Sequence, residues 1–329
     1  MYERSRHRQL SQSGRGLRRK RGGVPQRLHS TGCRWLSGGR GDVSGWGKSM
    51  KLGYQGEPGS YSHRATTELF ADHASTGFET FVAAFEALET NAVDRLVLPI
   101  ENSTTGSVLP VLDRLVPGGV SIVGEHHIEV QHSIMAVSGA TLEGVLRVRS
   151  HPEALAQAEG YLTEKGWKLV VAHDTAGAVR EVAETADPVE AALAPPWAAD
   201  EHGLVVLANN VVDRDHNTTR FVVMAKGAQP VADDATKTTV AFTTSHTPGA
   251  LALALTELGL RGANLTRIES RPAARAWRYR FFADMFHQPG AKGRDLVFDP
   301  PPSTMRDITI LGTYRPSDAE KDARGTESS

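Results

Sequence analysis

A chain of 329 residues with 40% hydrophobic and 23% charged side chains can bury more than one core, and about two domains is the expectation for that length. No run approaches the roughly 18 consecutive apolar residues of a membrane helix, and no apolar segment follows the basic N-terminus as a secretory signal requires. The single cysteine, Cys33, has no internal partner and no His or Cys pairs stand at zinc-ligand spacing, which argues against disulfides, redox chemistry and a structural metal.

The near-neutral net charge of −1 hides an asymmetry: residues 1–50 hold 12 Lys or Arg against Glu3 and Asp42, a balance of +10, and the remainder carries −11. This leader is rich in Arg, Gly and Ser without apolar periodicity, and is expected to be disordered. Three readings compete for it: a start site set too far upstream, an organelle transit peptide, or a nucleic-acid-binding arm. The first is favoured, because Met50 directly precedes Lys51-Leu52-Gly53-Tyr54, where the first patterned strand begins. A basic run alone does not argue for nucleic acid, so neither nucleic acid nor membrane is expected as a partner.

From Lys51 to about Met224, short apolar runs alternate with segments of helical period, the pattern of an α/β domain on a largely parallel sheet. Phe81, Ala84, Phe85 and Leu88 share one helical face; so do Val108, Val111, Leu112 and Leu115, and Val179, Val182, Ala183 and Ala186. Strands are expected at Arg95–Ile100, Val120–Val123, Ser133–Val137, Val145–Arg149, Leu169–Ala172 and Ala191–Ala194. Residues 227–236 read as a linker of turn formers and charge. A smaller α+β unit follows over 237–316, with strands at Thr239–Thr243, Asn264–Ile268, Trp277–Phe282 and Asp307–Tyr314 and a helix whose face carries Leu251, Leu255 and Leu258, fitting βαββαβ. Pro289-Gly290, Gly293 and Pro300-Pro301-Pro302 oppose its second helix, which is expected to be short, displaced or absent. Residues 317–329 read as a loose polar tail.

The chemistry is hinted at where strands hand over to helices, since anions bind beyond the carboxyl ends of parallel strands at helix N-termini. Such junctions occur at Gly56-Glu57-Pro58-Gly59-Ser60-Tyr61-Ser62-His63, at Glu101-Asn102-Ser103-Thr104-Thr105-Gly106-Ser107, at Ser150-His151-Pro152 and at Asp174-Thr175. Each one alone is explained as an ordinary N-cap. Their accumulation favours a small anionic ligand but names no reaction.

Four strings give the junctions a context: Gly-Glu-Pro-Gly-Ser-Tyr-Ser-His at 56–63, Pro-Ile-Glu-Asn-Ser at 99–103 with Gly106, Ser-His-Pro at 150–152 with Gln157, and Asn-Thr-Thr-Arg-Phe at 217–221. In that order they resemble the prephenate dehydratases over nearly all of residues 51–316. The resemblance implies a two-lobed, type 2 periplasmic-binding-like α/β domain over 51–226, with substrate in the cleft. The chain would cross to the second lobe near Glu125–Gln131 and return near Asn209, with Phe221–Ala225 as a strand of the first lobe. The reaction implied is loss of carbon dioxide and the ring hydroxyl from prephenate to give phenylpyruvate, driven by aromatisation without a cofactor. Thr219, directly before Arg220-Phe221, is the family's catalytic threonine, read here as a hydrogen-bond donor to the leaving hydroxyl. Glu101 is the candidate acid if the cleft desolvates it; pairing with Arg220 or capping a helix is the alternative. Ser60, Ser62, Asn102, Ser103, Ser150 and Gln157 are expected to line the cleft with Arg220 and Phe221, where Arg220 pairs with substrate or with a protein carboxylate. His63 and His151 read as positioning residues rather than bases.

In the second unit, Pro248-Gly249-Ala250-Leu251, Asn264-Leu265-Thr266 and Glu269-Ser270-Arg271-Pro272 resemble the phenylalanine-responsive ACT domains fused to this family, which are ferredoxin-like. The resemblance implies that Gly249, Ala250, Leu251, Asn264, Leu265, Glu269, Ser270, Arg271 and Pro272 bind L-phenylalanine at a subunit interface in a homodimer or homotetramer. Two rival functions are an arogenate dehydratase and a non-catalytic amino-acid sensor. A cytoplasmic location is expected, or a plastid if the leader is a transit peptide.

Overall fold

The computed structural model describes residues 50–213, 217–273 and 278–317; the expectations for the leader before Met50, for Trp277 and for the tail beyond Ser317 lie outside the described residues. In chain order the first lobe comprises β1 (Lys51–Gln55), α1 (Tyr61–Leu69), β2 (Ala74–Phe78), α2 (Phe81–Glu89), β3 (Arg95–Asn102), β4 (Gly106–Ser107), α3 (Leu109–Leu115) and β5 (Val120–Glu129). The second lobe comprises β6 (Ser133–Ala136), β7 (Arg147–Ser150), α4 (Pro152–Gln157), α5 (Glu159–Lys165), β8 (Lys168–Val171), α6 (Thr175–Thr185), β9 (Glu190–Ala194), α7 (Ala198–His202) and β10 (Val205–Ala208). The chain then returns to the first lobe as β11 (Thr218–Lys226), which lies between β3 and β5 and runs antiparallel to both. The sheet orders are β2-β1-β3-β11-β5, with β4 beside β3, and β10-β6-β9-β7-β8.

Local chemistry places the helices where the periodicity predicts, except that Val108 is the N-cap of α3 and Ala186 is an exposed, left-handed C-cap just after α6 rather than part of its apolar face. Ala84, Phe85 and Leu88 of α2, Val111, Leu112 and Leu115 of α3, and Val179 and Val182 of α6 are buried against their sheets; each such large side chain contributes about 1.5–3 kcal/mol. Ser60, Thr80 and Asp174 cap α1, α2 and α6 through side-chain oxygens, and Pro152 occupies the first turn of α4.

The last unit adds β12 (Lys237–Thr244), α8 (Ala250–Leu260), β13 (Asn264–Pro272), β14 (Tyr279–Phe286), α9 (Gly290–Phe298) and β15 (Met305–Tyr314), with sheet order β13-β14-β12-β15. This is the ferredoxin-like βαββαβ order. Its second helix is present and short, because the prolines flank it: Pro289 is the N-cap and Pro300 follows the C-cap. Gly293 inside it is demanded by a close approach, since a side chain there would strike the Gln288 carbonyl. Val297 and Phe298 of α9 enter the core with Val240, Phe242 and Leu258.

The first lobe and the last sheet share one core. Leu96, Leu98, Ile100, Val222 and Met224 form a continuous cluster with Ala241, Phe282, Leu311 and Tyr314. Gly312 of β15 lies so close to β5 that a Cβ would collide with the Ile122 carbonyl oxygen. Expected strand ends differ mainly at β5, which runs six residues past Val123, and at β13 and β14, which run four residues past Ile268 and Phe282; β2, weakly apolar and largely exposed, and β10, a short apolar Val-Val-Leu-Ala run, are strands beyond those expected.

Candidate active site

The site begins where β3 ends beside the start of β11. Thr219 is paired with Asn102, and Arg220 with Glu101. Because successive side chains on a strand point to opposite faces, these neighbours form two separate constellations. On the first face, Asn102 Oδ1 accepts from the backbone N–H groups of Thr104 (2.9 Å) and Thr105 (3.0 Å), which fixes the amide. Asn102 Nδ2 then donates to Thr219 Oγ1 at 3.0 Å and to Asn217 Oδ1 at 2.7 Å. The Thr219 oxygen is thus occupied as an acceptor, while among the described residues no acceptor takes its proton. Ser103 ties the strand ends together: its N–H donates to the Thr218 carbonyl, and its Oγ accepts from the Thr218 N–H, both at 2.9 Å.

A cavity of about 440 Å³ opens beside this network, bounded by Thr104, Thr105 and Asn217 on one side and by Glu153, Gln157 and Asp213 on the other. Gln157, expected at the substrate, lines it; its Oε1 accepts from His132 Nε2 at 3.0 Å. Burial lowers the pKa of His132, so the ring is a neutral donor near pH 7. Glu159 adds a third carboxylate to the wall, and among the described residues no cation lines it. Asp213 is committed to the start of α5, accepting from the Gly160 and Tyr161 N–H groups. The lobes are tied at the loop before α1: Trp197 Nε1 donates to the Gly59 carbonyl at 2.9 Å, and Arg180 pairs with Glu57 at 3.0 Å.

Several expected site residues are placed elsewhere. Glu101, expected as an acid, lies on the face opposite Asn102 and pairs with Arg220 (3.3 Å) and Arg267 (3.4 Å); of its two readings, the pairing with Arg220 is the one formed. Arg220 is engaged by protein groups rather than by the cleft: Nε donates to Glu125 (2.8 Å), Nη1 to Asp284 (2.6 Å) and Nη2 to the Tyr314 hydroxyl (2.9 Å). Phe221 is buried in the first-lobe core with Leu52, Ala65, Val97 and Ile128, and so anchors β11. Ser150 is fully buried and donates to the Leu193 carbonyl at 2.6 Å, which commits its proton to the second sheet. Ser60 caps α1 and Ser62 is buried along it. His63 Nδ1 accepts from the Gly59 N–H and His151 caps α4, both positioning roles.

Two residues not expected at the site adjoin it: Asn217 lines the cavity, and His132 holds Gln157. Asn217 belongs to a quoted string, but its role follows only from its contact with Asn102, 115 positions away. His132 lies in the crossing between lobes and carried no local signal.

In the last sheet, a shallow concavity of about 440 Å³ is formed by the loop around Gly249, whose φ of +78° favours glycine, with Ala250 and Leu251 opening α8. Arg271 is level with Arg280, and Arg280 with Thr243, so residues 269–272 and this loop share one end of the sheet. Asn264 and Leu265, level with Phe286 and Met285, are at the other end. Within the chain Glu269 accepts from Ser107 Oγ at 2.8 Å and Arg271 pairs with Asp113 at 2.9 Å; Ser270 and Pro272 lie on the same edge strand.

The family model described as prephenate dehydratase matches residues 52–229. The chain is 40% identical over 227 residues to arogenate dehydratase 2 of Petunia hybrida, covering 69% of this chain and 58% of the relative. It is 36% identical over 221 residues to a bifunctional N-acyl-homoserine lactone acylase/prephenate dehydratase of Komagataeibacter europaeus, covering 67% and 79%. The crystal structure of prephenate dehydratase from Arthrobacter aurescens in complex with L-Phe superposes with a TM-score of 0.71 at 28% identity, over 85% of this chain and 98% of that one. The plant relatives extend well beyond the match: the chain spans about three-fifths of their length.

Proposed function

This chain belongs to the prephenate dehydratase family, and from that premise we propose that it converts prephenate to phenylpyruvate, carbon dioxide and water. The observation that carries the reading is the Thr219 hydroxyl, held as an acceptor by a fixed Asn102 amide and left with a proton to donate. In the reaction the ring–carboxylate C–C bond breaks as carbon dioxide leaves. Its electron pair enters the ring, and the ring C–O bond breaks with hydroxide departing. Negative charge grows on that oxygen, where a fixed donor stabilises the transition state more than the ground state. An alcohol is a weak acid near neutral pH, so Thr219 donates a hydrogen bond and the proton that completes water comes from solvent. Thr219→Ala is expected to lower kcat by about 10²–10³, the usual cost of one oxyanion donor, with the melting temperature unchanged. Phenylpyruvate formation measures this, and near-normal turnover of the variant would remove Thr219 from the mechanism.

A second reading, arogenate as substrate, is favoured by the acidic wall of Glu153, Glu159 and Asp213, which suits an ammonium group better than a keto group. Parallel kcat/KM measurements on the two substrates decide between them, and inactivity on both would favour the sensor. We further propose that residues 51–226 are the catalytic domain and 237–316 an ACT regulatory domain. There L-phenylalanine binds between copies of a homodimer or homotetramer, near Gly249–Leu251 and Glu269–Pro272. The location proposed is cytoplasmic; chloroplastic relatives support the plastid alternative.

A further inference from the structure

Behind the Thr219 face, at the junction with the last sheet, three carboxylates and three cations close into one cluster. Arg220 joins Glu125, Asp284 and Glu101; Lys237 Nζ reaches Glu125 at 2.9 Å; Arg267 reaches Glu101 and, at 3.7 Å, Asp284. Glu125 and Asp284 are fully buried, and the Tyr314 hydroxyl that receives Arg220 is also bound to Thr239 Oγ1 at 2.7 Å. Four of these groups, Asp284, Lys237, Arg267 and Tyr314, come from the last sheet. The cluster therefore grips β11 at the residue next to Thr219 with groups from the other domain.

A second observation concerns the backbone. On the β5 side β11 pairs regularly from Thr218 to Val223, but on the β3 side the register slips between Arg220 and Phe221, whose partners are Glu101 and Pro99. Such irregularities bend a strand and re-aim its side chains. The slip falls one residue after Thr219, on the side where Asn102 must be met. The aim of Thr219 thus depends on what holds Arg220.

We propose that Asp284 of the last sheet is a positioning residue for the reaction, fixing Thr219 in the cleft through its grip on Arg220. The regulatory domain is then part of the support of the active site even without effector. This rests on the assignment of Thr219 above.

The test uses the full chain and its variants Asp284→Asn and Tyr314→Phe, with kcat and KM measured on prephenate and arogenate and folding followed by circular dichroism. Asp284→Asn is expected to lower kcat about tenfold or more with KM changed less than about threefold, and Tyr314→Phe, which keeps the ring, to lower kcat several-fold. In a Thr219→Ala background neither substitution should lower kcat further, because the effect passes through the lost hydroxyl. A purely structural role would lower the melting temperature and leave kcat per folded molecule intact; that result overturns the proposal, as does an equal loss in the Thr219→Ala background. If Asp284→Asn does not fold, wild-type kcat in Tyr314→Phe is sufficient to overturn it. A wild-type protein inactive on both substrates would instead sink the functional reading, and this proposal with it.

Discussion

The two sides of β11 carry polar groups at similar density but in opposite conditions. On the cleft side Asn102, Asn217 and Thr219 are neutral, and their hydrogen bonds end in a hydroxyl donor that meets no acceptor among the described residues. On the domain side Arg220, Glu125, Asp284 and Lys237 are charged and buried, with each charge facing an opposite one. Burial opposes the ionisation of Asp284, yet Arg220, Lys237 and Arg267 hold its carboxyl well below the usual carboxylate range. A closed ion cluster has little capacity left for substrate, whereas an open neutral network does. The difference teaches that a motif such as Thr-Arg-Phe can serve two ends at once, with the proposed donor on one face and attachment on the other.

That contrast predicts separable failures. The largest effect is expected from Glu125→Gln, which leaves Arg220 and Lys237 short of a buried counter-charge and should cost about 3–5 kcal/mol of stability, read by chemical denaturation. Asn102→Ala strikes the other face: it frees Thr219 to rotate and should lower kcat by about 10–10², with a stability loss of only about 1 kcal/mol from the orphaned Thr104 and Thr105 N–H groups. If the two variants lost activity and stability in the same proportion, the division between faces would fail.

A smaller, pH-dependent effect sharpens the same boundary. His127, level with Arg220 and bonded to Ser317 Oγ, has its pKa lowered from 6.5 to about 4, chiefly by burial and also by Arg220 and Lys237, against the pull of Glu125. The unfolded chain takes up a proton near pH 6.5 and the folded chain does not. The contribution of the neutral ring is therefore intact above pH 6.5 and is lost as pH falls towards 4. Allowing for partial exposure, the loss is on the order of 1–2 kcal/mol. Melting curves across that range should show it, with a flatter profile for His127→Asn. The smallest effect is expected from Glu153→Gln with Glu159→Gln, a shift of a few-fold in kcat/KM from arogenate towards prephenate; no shift would remove the charge argument for arogenate.

Much of this is legible in the sequence. The helical faces at Phe81–Leu88 and Val108–Leu115, the caps at Ser60 and Asp174, and the βαββαβ order of the last unit follow from periodicity and capping, which are local. The Glu101 assignment shows a signal that was present and unused. Residues 101 and 102 are consecutive on a strand, as are 219 and 220, so neither pair can point wholly into one cleft. Alternation alone said that Glu101 and Asn102 must part company.

What alternation could not say is which face looks into the cleft, because that depends on what covers the other face. Here the cover is the last sheet, supplying Asp284 and Tyr314 from 64 and 94 positions away. The sequence by itself determined most of the elements, their order and the resemblance to the family, since short-range backbone preferences and ordered strings are written along the chain, whereas β2, β10 and the second helix of the last unit were not fixed by it. The tertiary structure decided that Arg220 is bound at the junction, that Asn217 lines the cavity and His132 holds its Gln157, and that Ser150 and Phe221 are buried in the sheets. Those assignments rest on burial and on contacts between distant strands, which exist only once the sheets have packed.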